Sequence, residues 1–426
     1  MSNNLNDPTI YDQVVEWMDI DSFIDHLVMT MYCANTSWEH NREWWRPRTE
    51  NGKWKWLIVD LDRGFNIFNV FTNLLDNLMD DYKLFNLLLN SSSFQNRFVQ
   101  RASSHLNNTF HYQRINASVD SLSAIIASEM PRHITKWGDQ GGVSSMSDWE
   151  DELNEIKQFA ENRTSIVRNQ LSDELDLNET ISVTVNVEPS GSGKVLINDV
   201  PKIDHNQEET FFKDIPISIS AFPKPGYEFV GWEGIADSNR IQYNCNSDGL
   251  FTAVFQFSDE IILKDVVTEN TTLEGYQSYV VQEDVTINPG VTLIVTEGVK
   301  ISMPEDGNII VEGQLIINGT EQNPVEILPH SSAQDNRWGA ICFNNATDSS
   351  SLSHLKLEGA SVGIDPSTHK GAISGVNSDI SISHAEIEDV LFPIYTEGGS
   401  LHITQSSISC DFICDFINVK GGDAFI

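Results

Sequence analysis

The sequence predicts a multidomain protein, α+β in its first part and all-β in the remainder. Three patterns carry that prediction. Apolar residues recur at helix spacing through residues 1–175, and the period falls to two from about residue 180. From about residue 260, short β-branched strands repeat at intervals of roughly 20–30 residues, as in a solenoid. A chain of 426 residues also exceeds what one ordinary core organises, so two to four domains are expected.

The first clear helix begins near Ile20. Ile20, Phe23, Ile24, Leu27, Val28 and Met31 share one face, and Asp19 or Asp21 is placed to cap it. Further helices are predicted over residues 73–89, 93–111, 113–129 and 147–174. Ser147 with Glu150 three residues later reads as a capping box for the last of these. Between the first two helices, EWWRPR and KWKWLIVDLD flank Thr49-Glu50-Asn51-Gly52, and Asn-Gly is a strong hairpin signal.

The acidic stretch LSDELDLNET reads as a linker. After it, ISVTVNVEP, GKVLIN, ISISAFP, YEFVGWEG and LFTAVFQF are short strands punctuated by Pro, Gly and Asn. In the last part, ISISHAEIED resembles LHITQSSISC at a spacing of 21, and SISHAEIE resembles SHLKLE. Each coil is expected to bury an inward aliphatic row on the next, with the stack starting around VTINPGVTLIVTEGVK. The chain stops at DAFI without a polar cap, so this end reads as truncated.

The formal charge of −36 repels phosphate backbones and anionic lipid, which argues against nucleic-acid and membrane partners. No run approaches the ~18 apolar residues of a membrane span. The start, MSNNLNDPTIYDQ, lacks the basic-then-apolar pattern of a signal peptide. Five cysteines without a CxxC pair favour buried thiols over a zinc site, with a Cys410–Cys414 bridge as the lesser alternative.

Chemistry concentrates between Ala34 and Phe65. Leu57-Ile58-Val59 reads as a strand delivering Asp60 and Asp62 to its end, followed by Arg63-Gly64. Two apart on a regular strand, the two carboxylates would share a face and suit Mg²⁺ carrying a nucleotide, with Asn41 adding a neutral oxygen. On spacing alone, an aspartate capping a turn and an arginine paired at the surface explain these residues more often. Trp38, Trp44, Trp45, Trp54 and Trp56 crowd the same region; core packing is favoured over stacking on a base or sugar. Arg46 and Arg63 suit either phosphate or the neighbouring aspartates. His40 reads as structural.

Several phrases add a resemblance: Asn35-Thr36-Ser37-Trp38, His40-Asn41, Trp45-Arg46, Gly52-Lys53-Trp54 and Asp60-Leu61-Asp62-Arg63-Gly64-Phe65. Together with Ile20-Asp21-Ser22-Phe23-Ile24-Asp25, Met130-Pro131-Arg132-His133…Trp137 and Phe159-Ala160…Arg163, they resemble the CotH kinase family over about residues 10–175. The resemblance implies a helical kinase-like C-lobe with a β-hairpin, ATP and Mg²⁺ as cofactors, and Ser or Thr of a protein as acceptor. It implies Asp60 as the metal-binding aspartate with Asn41 as second ligand; Arg63 is the candidate at the nucleotide, and Asp62 or Glu39 could serve as the carboxylate that orients the acceptor. Ser37 stands where many members carry the catalytic Asp. The family's N-terminal portion, with its nucleotide-contacting lysine, has no counterpart, so Met1 reads as an internal start.

Val187-Glu188-Pro189, Gly193-Lys194-Val195 and Ala221-Phe222-Pro223-Lys224-Pro225-Gly226-Tyr227-Glu228-Phe229-Val230-Gly231-Trp232 resemble the internalin B-repeat, a spacer and interaction module of exported proteins. Residues 265–426, with Arg337-Trp338-Gly339-Ala340-Ile341, resemble right-handed parallel β-helices of the pectate-lyase type, without their catalytic clusters. The expected domains are therefore 1–177, 180–258 and 262–426. Such company implies a secreted or cell-surface protein whose partner is a protein substrate or a surface component, with carbohydrate as a further candidate. The rival expectation is a non-catalytic surface protein with a degenerate kinase-like part.

Overall fold

The computed structural model describes residues 7–48, 52–138, 142–177, 179–202, 207–235, 238–333, 336–410 and 415–426. The chain divides into two compact units. One holds the residues up to 186 with 195–220 and 232–252; the other holds 187–194, 221–231 and 253–426.

The first unit is built on helices. A short helix without an expectation from periodicity opens it: α1 (Pro8–Trp17), where Asp7 accepts from Thr9 N at 3.0 Å and proline takes the first turn. Asp19 caps α2 (Ile20–Cys33) by accepting from Ser22 N at 3.0 Å. The predicted apolar face of α2 is fully buried. The hairpin forms as β1 (Glu43–Trp45) and β2 (Lys55–Leu57), antiparallel; its predicted turn residues 49–51 lie outside the described residues.

The helix expected over 73–89 is two, α3 (Leu74–Asp81) and α4 (Lys83–Leu88), broken at Tyr82. The break turns the Tyr82 ring edge-on to Phe23 at 5.6 Å and lets its hydroxyl accept from Trp56 Nε1 at 3.1 Å. Then come α5 (Ser92–Asn107), α6 (Tyr112–Ile126), α7 (Met130–Trp137) and α8 (Met146–Glu174). The cap of α8 sits two residues earlier than the expected box. Ser145 Oγ accepts from Asp148 N at 3.0 Å, and Asp148 reaches back to Ser144 N at 3.3 Å. α8 also runs into the first four residues of the expected linker, ending at Glu174.

Phe159, Ala160, Arg163, Val167 and Leu171 form the buried stripe of α8. Arg163 is fully buried without a carboxylate partner among the described residues. It donates instead to the carbonyls of Met31, Tyr32, Val70 and Thr72, two of them in the last turn of α2. Met31 O also accepts from the C-cap Ala34 N at 3.3 Å, and the guanidinium adds its donors at this helix end, where it meets the negative dipole.

Strands β3 (Thr180–Glu188), β4 (Gly193–Ile197), β5 (Val200–Pro201), β6 (Glu208–Phe212), β7 (Ile217–Pro223), β8 (Tyr227–Trp232), β9 (Arg240–Tyr243) and β10 (Gly249–Phe257) follow. Within the first unit β3 pairs with β6, β4 with β5 and β7 with β9, all antiparallel. Asn198 and Asp199 turn the β4–β5 hairpin with φ of 54° and 62°, positive at both positions as a tight hairpin turn requires. That turn docks on α5: Asn198 Nδ2 donates to Gln100 O at 3.1 Å, Arg101 donates to Asn198 O at 2.8 Å, and Asp199 pairs with Arg97 at 2.7 Å.

The second unit contains a parallel β-helix. The ladders run parallel, and one inward column reads Tyr279, Ile301, Ile327, Leu357, Ile387, Ile408 from coil to coil. A second reads Leu273, Val295, Ile317, Leu352, Ile382, Ile403. The internal repeat is this register: Ile380 pairs with Leu401, 21 residues on. Stacking begins earlier than expected, since Ile261 already pairs with Tyr279. His354 and His384 hold left-handed corners of successive coils, and their rings stack at 4.5 Å. Among the described residues no helix is long and apolar enough to cross a membrane.

Candidate functional site

The site residues lie in the first unit, on two segments brought together after α2. Ala34, left-handed at φ 52°, ends that helix and turns the chain into Asn35. Asn35 is buried and acts as a junction. Its Nδ2 donates to Asp60 O at 3.1 Å, while its Oδ1 accepts from Ser37 N at 3.2 Å and Ser37 Oγ at 3.1 Å. Asn41 Nδ2 donates to Ser37 Oγ at 3.3 Å and reaches Asp60 O at 3.5 Å. The sequence-selected Ser37, Asn41 and Asp60 therefore do meet, around one backbone carbonyl.

The geometry of the acidic pair differs from expectation. β2 stops at Leu57, where His26 Nδ1 lies 3.2 Å from the carbonyl. Burial lowers the pKa of that histidine. Asp60 is left-handed (φ 52°), so Asp60 and Asp62 do not share a regular strand face. They sit instead on a tight turn closed by Gly64 N donating to Leu61 O at 2.8 Å and anchored by Phe65 N donating to Cys33 O at 2.8 Å. A Cβ on Gly64 would come within 3.0 Å of Cys33 Cβ, which is why glycine occupies that position. Asp60, Asp62 and Arg63 project from this anchored turn as exposed side chains. Neither carboxylate is engaged by a cation or a hydrogen-bond donor among the described residues.

Among the described residues there is no cluster of three or more His, Cys, Asp or Glu that could hold a metal. The donors present are the Asp60 and Asp62 carboxylates and the Asn41 amide oxygen. These are oxygen donors, the type that Mg²⁺ takes in ones or twos while water and phosphate complete its shell.

The hairpin and the chain after α2 also line a cavity of about 580 Å³ whose walls include Trp44, Trp54, Trp56 and Tyr82, with Glu39 and Arg42 as its charged residues. Trp44 and Trp56 face each other across the β1–β2 ladder, and Trp54, two residues from Trp56, falls on the same side. The expectation of pure core packing holds for Trp38, which is buried, and for Trp56, which packs on Phe23 at 4.7 Å. It fails for Trp44 and Trp54, which are 56% and 38% exposed. The alternation Trp54-x-Trp56 opposite Trp44 was the available signal for a one-sided aromatic wall. Tyr82 had none, because it reaches the cavity through a helix break.

Segment 37–42 thus serves two places at once. Ser37 and Asn41 hold the Asp60 turn, while Glu39 and Arg42 line the cavity. Against known proteins, residues 1–167 match the family model described as CotH kinase protein. No curated protein and no solved structure matches the chain.

Proposed function

We propose that this protein is a CotH-type phosphotransferase that binds Mg-ATP in its helical unit and phosphorylates serine or threonine of a partner protein. The observation that carries this reading is that one short segment, 37–42, both tethers the Asp60 turn and lines an indole-walled cavity, inside the stretch that matches the kinase family model. Asp60 and Asn41 would hold the magnesium ion, and Arg63 would meet the nucleotide. The ion, when bound, neutralises phosphate charge as transfer proceeds. Asp62 orients the acceptor hydroxyl and receives its proton. Trp44 and Trp54 offer faces to the base. Ser37 cannot act as a base at neutral pH; its hydroxyl, fixed between Asn35 and Asn41, positions the Asn41 amide.

In the same reading the domains are 1–177, 180–258 and 262–426. The middle region, of internalin B-repeat type, and the β-helix serve attachment or target recognition at the surface of an exporting cell, with protein or carbohydrate as the contact. Ser37 at the family's aspartate position favours a second reading, a non-catalytic surface protein that retains the kinase fold.

Calorimetric titration of Mg-ATP into the wild type and Asp60→Ala tests the site. Saturable heat in the wild type, with affinity lowered about 10- to 100-fold in the variant, is the expected result. Equal heats, or none, reject a metal–nucleotide site. Incorporation of ³²P into a protein acceptor then separates the catalytic from the non-catalytic reading.

A further inference from the structure

Given the nucleotide-binding reading above, we propose that Arg42, on the wall of the indole-lined cavity, is a cation that binds the nucleotide phosphates. Arg42 is half-buried on the cavity wall. Its Cζ lies 5.2 Å from the Trp38 ring centre and 4.9 Å from that of Tyr82, so two aromatic rings hold the guanidinium. Its Nε donates to Glu39 O at 3.2 Å, which fixes the remaining rotation. A guanidinium held over aromatic rings keeps its remaining N–H groups to donate elsewhere. No carboxylate pairs with Arg42 among the described residues, although the chain carries 62 acidic residues against 26 lysines and arginines.

The preceding residue, Asn41, reaches the Asp60 carbonyl, while Arg42 itself shares the cavity with Trp44 and Trp54. Arg42 lines the same cavity as those indoles, so a nucleotide whose base rests on them brings its phosphates within reach of the guanidinium. The ring-held guanidinium has the fork geometry that matches phosphate oxygens two at a time. Arginine is specified over lysine because an ammonium offers neither the planar stack nor the fork.

The test compares adenosine with Mg-ATP, both titrated into the wild type, Arg42→Ala and Arg42→Lys, followed by calorimetry and tryptophan fluorescence. In Arg42→Ala, ATP is expected to bind about 10- to 100-fold more weakly while adenosine binds as to the wild type. Arg42→Lys is expected to recover part of the loss for ATP. Unchanged ATP affinity in Arg42→Ala overturns the assignment. So does a parallel loss of adenosine and ATP, which would make Arg42 a support for the rings only. A wild type that binds neither ligand overturns the nucleotide reading itself, and the role of Arg42 with it.

Discussion

Asp25 shows how single side chains join the sequence-distant parts of the first unit. Burial alone would push its carboxyl up. Hydrogen bonds from His105 and Arg101 outweigh burial and hold it at about 2. A carboxyl whose pKa is lower in the folded protein adds stability that is complete above its unfolded value near 4 and is lost as pH falls toward 2. Because the side chain keeps 34% exposure, screening reduces the worth to about 1–2 kcal/mol. Asp25→Asn should therefore be less stable than the wild type in urea at pH 7, and the gap should close between about pH 4 and pH 2. A gap that persists at pH 2 would show that packing, not the ion pairs, accounts for the loss. Arg163 is the opposite case, a buried cation answered entirely by carbonyls, and its partners at 31, 32, 70 and 72 lie too far along the chain for any spacing rule to reveal.

Local pattern identified those secondary-structure elements whose stability is local, and missed where tertiary contacts intervene. The α2 stripe and its Asp19 cap follow from helical period and cap chemistry alone. The break at Tyr82 does not, since an apolar run reads on as one helix until the ring finds Phe23 and Trp56. The acidic pair failed as a strand motif for a similar reason. Asn35, buried at the end of α2, takes the Asp60 carbonyl and turns the chain where the aliphatic run would continue it. That bond spans 25 residues, and nothing in the spacing announces it.

The solenoid was readable because each coil repeats the same demand, an aliphatic residue facing the one before. In that column Ile327 sits fully buried between Ile301 and Leu357. Ile327→Ala should cost about 2–4 kcal/mol, measured by denaturant unfolding of the full chain. A loss under about 1 kcal/mol would mean that the coils are held by their backbone ladders rather than by this column.

For the whole molecule, charge sets the terms on which a nucleotide can bind. A net charge of −36 repels ATP at a distance, so local cations must answer its phosphates. In the proposed reading Arg42 and Arg63 answer them, and the carboxylates of the acidic turn become an asset only through a divalent ion. The central claim is thus that metal and nucleotide bind together at the turn after β2. The most direct measurement is anomalous X-ray scattering from a crystal grown with Mn²⁺ and a non-hydrolysable ATP analogue. The account predicts a manganese peak at bonding distance from an Asp60 carboxylate oxygen, with the phosphates beside Arg42. A nucleotide bound elsewhere, or a metal peak away from Asp60, would contradict it.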